Sequence, residues 1–289
     1  MFENKNRYLL KQIRYDVRTG LRQNIWLLVV YFVGTIVFTQ VQLHEFVDMN
    51  LGISWGSGVG ALFKGINELS ELKHNFNSFR IPIEWMWFHI CYLIGIAAYP
   101  MHDYDERGYQ FLIRAGNKKI WWISKCIWVI VYCSISYVIF FAGIGVSNII
   151  SMKSFSVDDD TYFGSLYSYI SHGQLYYIIF VMPILVMIAT AMLELMAVFI
   201  KNEIVGIICV FSYIVISAYK KNPILIENYI MISRYNFSNL HNELIVGTFI
   251  CVIVIFVSAV VGYMNFKKKN GEIINVFRIR KSKQGYRWK

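Results

Sequence analysis

Residues 175–219 read LYYIIFVMPILVMIATAMLELMAVFIKNEIVGIICVFSYIVISAY and carry only three charged side chains, Glu194, Lys201 and Glu203. A helix on the surface of a soluble protein keeps a polar face, but the two apolar runs in this stretch lack the recurring polar residues that would form one. Each run is long enough, or nearly so, to cross a hydrocarbon layer of roughly 30 Å as a helix. The stretch therefore predicts two consecutive membrane-spanning helices, 175–200 and 204–219.

The composition of the whole chain also indicates that lipid surrounds much of it. Of its 289 residues, 56% are hydrophobic and 16% are charged, whereas a soluble domain is nearer a quarter charged. Hydropathy along the chain predicts an all-α integral membrane protein with six transmembrane helices. The predicted spans are 24–43, 84–99, 120–150, 175–200, 204–219 and 244–266.

The basic residues predict the orientation of these spans. Six spans place both termini on one side, and 21 of the 28 Lys and Arg residues fall on that side. Cytoplasmic loops carry an excess of Lys and Arg, so both termini are expected in the cytoplasm. We thus predict a multi-pass cell membrane protein with a membrane domain at 24–266 and a basic cytoplasmic tail at 267–289.

Residues 1–23 have the pattern of an amphipathic interfacial helix, whose apolar side contacts membrane lipid. The apolar positions are Leu10, Ile13, Val17 and Leu21, and the basic positions are Arg7, Lys11, Arg14, Arg18 and Arg22. A plain cytoplasmic leader is the alternative, because Gly20 weakens the helix.

Two further segments are neither spans nor simple loops. Residues 52–65 read GISWGSGVGALFKG, which lacks the Gly-Lys-Ser/Thr end of a phosphate loop. We expect a short membrane-dipping or surface helix that ends near Gly65. After Pro223, the apolar runs 224–226 and 230–232 are too short to cross the bilayer, which favours a re-entrant half-helix packed against protein before the last span.

Motifs for catalysis do not occur in the sequence. It contains no Walker A pattern, HExxH or nucleophile elbow, and its five cysteines lie in apolar blocks with no CxxC pair and no histidine partner at metal-ligand spacing. Glu84 with His89 is the nearest approach to a catalytic pair, and His89 is better explained as an interior histidine. We predict no enzyme activity, cofactor or metal. The net charge of +10 reflects membrane orientation rather than a nucleic-acid partner.

Glu194 is the one acid well inside a long predicted span, about 9 Å along the helix from its end at Ile200. An ionisable group at that depth usually faces the bundle interior and has a partner. A helix–helix hydrogen bond and a role in substrate passage are both compatible with this position. Pro183 is expected to kink the same span.

The loop at 99–128 reads YPMHDYDERGYQFLIRAGNKKIWWISKCIW, in which acids, a glycine, an apolar patch and a basic cluster follow one another. It resembles the corresponding loop of bacterial ABC-2 type transporter permeases. The order of the other elements agrees: an amphipathic amino-terminal helix, six spans, a long first external loop ending in Phe-Lys-Gly, and irregular structure before the last span.

This resemblance implies the permease subunit of an exporter for a hydrophobic or amphipathic substrate, such as a peptide, drug or lipid. A second permease subunit and a separate ATP-binding subunit would be its partners. The coupling loop, 101–119, would contact the ATPase through Asp103, Asp105, Glu106, Arg107, Phe111, Leu112, Ile113 and Arg114. The apolar triplet 111–113 would be poorly placed on a cytoplasmic loop without a covering surface, although it could instead fold back on the bilayer.

Two other classes of function remain open at this stage. One is a non-transport membrane protein, such as an immunity or sensor component. The other is a secondary transporter, for which internal repeats are typical, and no convincing repeat occurs here.

Overall fold

The computed structural model describes residues 2–48, 59–60, 62–66, 82–105, 118–151 and 170–285. These residues are almost entirely helical, and no strand occurs among them, which confirms the predicted all-α class. The helices are α1 (Phe2–Gln23), α2 (Ile25–Asp48), α3 (Ile83–Asp103), α4 (Lys118–Ile150), α5 (His172–Tyr176), α6 (Met182–Ile200), α7 (Glu203–Tyr219) and α8 (Leu240–Gly285).

Four helical stretches of the described chain are long and apolar enough to cross a membrane. They are Ile25–Gln42, Lys118–Ile150, His172–Ile200 and Phe237–Lys268. Helix α7 is also apolar but has only 17 residues, and α3 has 21. Helix α8 extends past the predicted span end at residue 266 and remains helical as far as Gly285, because no proline or capping turn stops it.

Helix α6 forms the centre of the bundle and packs against α3, α4, α7 and α8. The chain turns directly from α6 into α7, where the side chain of Asn202 accepts a hydrogen bond of 2.9 Å from the backbone N–H of Val205. This cap satisfies one of the free donors at the start of α7. Gly206 then lies against Val198 with no room for a Cβ atom, so the two helices can pack closely.

Aromatic stacking ties the helices together at one end of the bundle. There, Phe266 of α8 stacks on Trp121 of α4 at 4.7 Å between ring centroids and meets Phe199 of α6 at 5.7 Å. At the opposite end, the Gln40 amide donates to the Ser147 carbonyl at 2.7 Å, which joins the ends of α2 and α4. We call the end marked by Phe266 the aromatic end.

The proline in α6 follows a π-helical turn at Tyr177–Val181. Pro183 has no N–H, so the Ile179 carbonyl four residues earlier loses its usual helical donor. The Tyr137 hydroxyl from α4 donates to that carbonyl at 2.7 Å. Helix α4 thus supplies the hydrogen bond that the Ile179 carbonyl loses because of Pro183, the residue expected to kink this span.

The segment between α7 and α8 is irregular, as predicted, but it is not a half-helix. It consists of three short 3₁₀ turns, Ile226–Tyr229, Ile232–Arg234 and Phe237–Asn239. Its apolar side chains at Ile226 and Ile230 are fully buried. The segment therefore packs against protein, as the sequence suggested.

The end of the first long loop packs against this segment. Helical residues 62–63 stop just before Gly65, whose φ of +71° lies in the left-handed region that favours glycine. The backbone N–H of Ser233 donates to the Lys64 carbonyl at 3.1 Å. The helix therefore ends where the sequence predicted, and its last residues contact the 3₁₀ segment.

Candidate functional site, a buried ionic network

A lysine is buried at the aromatic end of the bundle. Lys125 of α4 has no exposed side-chain surface. Its Nζ lies 2.9 Å from Oδ1 of Asp16 and 2.7 Å from Oδ2 of Asp103. These carboxylates belong to α1 and to the last residue of α3, so one ammonium group joins three helices.

Hydroxyl and amide groups complete the surroundings of Asp16. The Tyr99 hydroxyl donates to its Oδ1 at 3.0 Å, the Gln12 amide donates to the same oxygen at 3.1 Å, and the Ser124 hydroxyl donates to Oδ2. Burial raises the pKa of Asp16, and the positive charge of Lys125 opposes that shift. A buried carboxylate of this kind needs its charge partner and its hydrogen bonds to remain ionised.

Lys125 is also held by aromatic rings. Its Nζ lies 4.3 Å from the ring centroid of Tyr99 and 4.9 Å from that of Trp121. Both distances are within the range of cation–π attraction. With two acids, one base and these rings, the arrangement can bind charge and transmit displacement between helices.

Small residues in and after α1 allow it to reach this network. A Cβ atom at Gly20 would overlap the indole of Trp128 in α4. One turn later, the Asn24 amide donates to the carbonyl of Gly95 in α3 at 3.2 Å. Gly20, which the sequence suggested as a weakness of the helix, is thus the point where α1 packs closest to the bundle, and α1 is not a free leader.

The structure places part of the predicted coupling loop. Asp103 is buried in the ionic network, and Asp105 is exposed two residues beyond it. All six of the other predicted contact residues lie outside the described residues; these are Glu106, Arg107, Phe111, Leu112, Ile113 and Arg114. The two described flanks of the loop, Asp103 and Lys118, end α3 and begin α4.

Sequence reasoning missed the two central members of the network. Lys125 was counted only as a basic residue that sets orientation. Asp16 is the only acid between residues 4 and 43, and it lies on the same face as Ile13 and Gly20. A single acid on the inward face of a basic helix was the available signal that it has a buried partner.

Glu194 lies away from this network, in the middle of the bundle. Its side chain is fully buried, as predicted. Neither of its carboxyl oxygens has a hydrogen-bond partner among the described residues, so the expected helix–helix hydrogen bond is not found there. Within the same residues, no group of three His, Cys, Asp or Glu side chains could hold a metal ion.

Length, apolarity and helix packing together define an all-helical chain with the character of a membrane protein. Residues 59–271 match the model of a family described as a protein of unknown function, DUF2705. This match covers well over half of the chain, which therefore belongs to that family. No curated protein and no solved structure matches it. Lys125 and Asp103 fall inside the matched stretch, whereas Asp16 falls outside it.

Proposed function

We propose that the chain is the membrane-spanning permease subunit of an ATP-driven exporter of the ABC-2 type. ATP would be hydrolysed by a separate subunit, and the cargo would be hydrophobic or amphipathic. A second permease subunit would complete the pathway. The loop between α3 and α4 would receive the movement of the ATPase.

The proposed layout has six spans, formed by α2, α3, α4, the α5–α6 unit, α7 and α8. Two of these are short: α7 is about 26 Å long and α3 about 32 Å, at 1.5 Å per residue. Both are close to the thickness of the hydrocarbon layer. The buried 3₁₀ segment between α7 and α8 would be the re-entrant part, since irregular backbone is tolerated at membrane depth where it packs on protein.

The contacts at the aromatic end are compatible with this layout. Asp16 of α1, Lys125 near the start of α4 and Phe266 of α8 all lie at that end. Helix α1 and the extension of α8 therefore leave the bundle at the same end as the α3–α4 loop. With the excess of Lys and Arg on this side, we assign it to the cytoplasm.

The observation that carries the proposal is the ionic network at the flanks of that loop. Asp103 closes α3 on one side of the loop, and Lys125 lies two turns into α4 on the other. Asp16 fixes α1 to the same ammonium group. A displacement of the loop would thus act on three helices at once, as a transmission element between an ATPase and a membrane bundle requires.

The test is co-purification with candidate ATP-binding subunits encoded beside this gene. We expect one of them to form a stable complex with the full chain and to hydrolyse ATP faster in it. ATP turnover by the purified chain alone, free of contaminating ATPase, would contradict the proposal. Failure to bind any of the candidates would favour the immunity or sensor function instead.

A variant of the loop tests where the partner binds. Phe111→Ala should weaken docking of the ATPase by about 1–4 kcal/mol, as truncation of an interface anchor commonly does. Phe256→Ala is the matched control, because Phe256 is 70% exposed on α8, outside the loop. A cysteine at position 111 should crosslink to the ATPase, and one at position 159 should not. Full coupling in Phe111→Ala without any crosslink would exclude the loop as the transmission element.

A further inference from the structure

A second buried group of titratable side chains lies between the 3₁₀ segment and the bundle. Glu227, in the turn Ile226–Tyr229, has no exposed side-chain surface. Its Oε2 lies 3.3 Å from Nε2 of His89 in α3, which is equally buried. Its Oε1 is in hydrogen-bond contact with the hydroxyl of Thr190 in α6. One carboxyl group thus joins the segment to two helices.

Aromatic side chains enclose His89. Its ring centroid lies 4.6 Å from that of Trp85 and 5.0 Å from that of Phe88. Its Nδ1 lies 3.0 Å from the hydroxyl of Tyr92. The imidazole therefore has one polar contact on each nitrogen, Tyr92 on one side and Glu227 on the other.

The hydrogen-bond inventory at Thr190 indicates where a proton lies. A threonine hydroxyl has one hydrogen to donate, and two oxygens are within reach of it: the Val186 carbonyl at 3.0 Å and Oε1 of Glu227. Both contacts are satisfied together if Thr190 donates to Val186 and accepts from a protonated Glu227. If Glu227 were ionised, the Thr190 hydroxyl would donate its hydrogen to the carboxylate, and no hydrogen would remain for the contact with the Val186 carbonyl.

The net charge of the site also indicates that it holds one proton. Glu227 as carboxylate beside a neutral imidazole would place a net negative charge in a fully buried site, which is costly. One added proton makes the pair neutral, whether it resides on the carboxyl group or on the imidazole. At 3.3 Å, the distance between Nε2 and Oε2 is longer than a well-formed N–H···O bond, so the proton is not fixed in a strong bond between them.

The titratable groups that face Glu227 from the neighbouring helices include Tyr92 of α3, Tyr213 of α7 and Cys251 of α8, and none of these three supplies a positive charge. Glu194, one helical turn after Thr190 in α6, adds a second acid near Tyr92. His89 is thus the basic partner within ion-pair distance of Glu227.

We propose that His89 and Glu227 form a proton-binding site, and that the bound proton latches the 3₁₀ segment to the bundle. The segment is also held by buried apolar side chains such as Ile226 and Ile230, and by polar contacts such as the Arg234 Nε donating to the Ile66 carbonyl at 2.8 Å. Loss of the proton leaves a carboxylate in the interior. Because Glu227 lies on a short turn and not within a long helix, it can reach water by undocking of the segment.

The pH dependence of the latch follows from proton linkage. The docked state holds the proton, and an undocked, hydrated Glu227 releases it. The latch is therefore fully closed at low pH, and docking weakens as pH rises through the midpoint of the site. Between the pKa of the hydrated, undocked Glu227 and the midpoint of the docked site, the equilibrium constant for undocking should rise by about tenfold for each pH unit, since one proton is released. Above that midpoint it levels off. This inference is independent of whether the chain belongs to an exporter.

Hydrogen exchange of the full chain in lipid nanodiscs tests the latch. The reporters are three backbone amides of the segment. Ile230 donates to the backbone carbonyl of Glu227, Ser233 to that of Lys64 and Arg234 to that of Met231. After correction for the chemical exchange rate, their protection should fall with rising pH. Glu227→Gln keeps the shape without ionisation, so protection in this variant should stay high and independent of pH. Glu203→Gln, an exposed acid at the start of α7, should behave as the unmodified chain.

Two results would overturn the proposal: corrected protection that does not change with pH, and a pH dependence that persists in Glu227→Gln. Should Glu227→Gln fail to fold, His89→Phe decides, because it keeps an aromatic ring between Trp85 and Phe88 and removes both nitrogens. Without the imidazole, Glu227 loses its basic partner, and the midpoint should shift by about one pH unit or more. An unchanged midpoint would show that His89 takes no part in the site.

Discussion

Lys125 is accommodated inside the protein because two carboxylates lie within hydrogen-bond distance, at 2.9 Å for Asp16 and 2.7 Å for Asp103. A buried ion pair of this quality adds little net stability compared with a well-packed apolar group, but breaking it is costly. The network is therefore better understood as a device that specifies which helices meet. The same reasoning explains why Asp16 brings α1, a helix rich in basic residues, against the bundle.

Replacement of the lysine tests this interpretation at the scale of a residue. Lys125→Met should lower the free energy of unfolding by about 3–5 kcal/mol, because two buried carboxylates lose their partner. The triple variant Lys125→Met, Asp16→Asn, Asp103→Asn should recover most of that loss, since no buried charge remains. Denaturation in detergent, followed by helical circular dichroism, measures both. If the triple variant is no more stable than Lys125→Met, pairing of charges is not what the network provides.

At the scale of elements, the close packing of α1 on α4 depends on the missing side chain of Gly20. Trp128, which a Cβ atom would overlap, has little freedom to move, because its ring stacks on Tyr132 at 5.3 Å and meets Tyr99 at 4.6 Å. The contact is thus rigid on the α4 side. Any added volume must move α1 itself.

Gly20→Ala should therefore displace α1 and expose it to trypsin. Gly145→Ala in α4 is the matched control, because nothing lies within 4 Å of a Cβ atom there. Both changes gain the same helix propensity, up to about 1 kcal/mol, so the difference between them isolates the overpacking cost of about 1–3 kcal/mol. Thermal unfolding and the rate of cleavage in α1 measure it. Equal stability of the two variants would show that α1 is not docked through Gly20.

The π-helical turn before α6 depends on a contact between elements in the same way. Tyr137→Phe should cost about 1–3 kcal/mol, since the Ile179 carbonyl then loses its donor in a buried site. In a Pro183→Ala background the helix can supply its own N–H, so the cost of Tyr137→Phe should shrink. A double-mutant cycle of unfolding free energies measures this coupling. If the effects of Tyr137→Phe and Pro183→Ala were additive, the Tyr137 hydroxyl would not be compensating for the helical donor that the Ile179 carbonyl lacks.

At the scale of the whole molecule, the helices meet at two distinct ends, and the aromatic end collects α1, the described flanks of the α3–α4 loop and the extension of α8. The proposed topology assigns the excess of Lys and Arg to that end. Six spans are consistent with this arrangement, because an even number returns both termini to one side.

Reporter fusions should place the carboxyl terminus at Lys289 and the loop 106–117 in the cytoplasm, and a site near Asp159 outside the cell. Glycosylation or phosphatase reporters at these three positions measure it. A cytoplasmic reporter at Asp159 would contradict six spans. A split result for Lys289 and the loop would contradict the placement of the α3–α4 loop and the end of α8 on the same side.

The sequence by itself determined the helical class, the apolar stretches that could cross a membrane and the burial of Glu194. Each of these depends on local composition: a continuous apolar run must satisfy its own backbone hydrogen bonds, which only a helix does within one segment. The turn at Gly65 was likewise predictable, because glycine permits the positive φ at that position.

Only the tertiary structure decided which buried polar groups meet. Asp16 and Lys125 are 109 residues apart in the chain, and Glu227 meets His89 from a segment that the sequence suggested to be a half-helix. Because burying a charge is costly, the sequence predicts that a buried charged residue has a partner, but several residues could fill that role equally well. The choice among them depends on how whole helices pack, through contacts such as Gly20 on Trp128, and no local pattern encodes it.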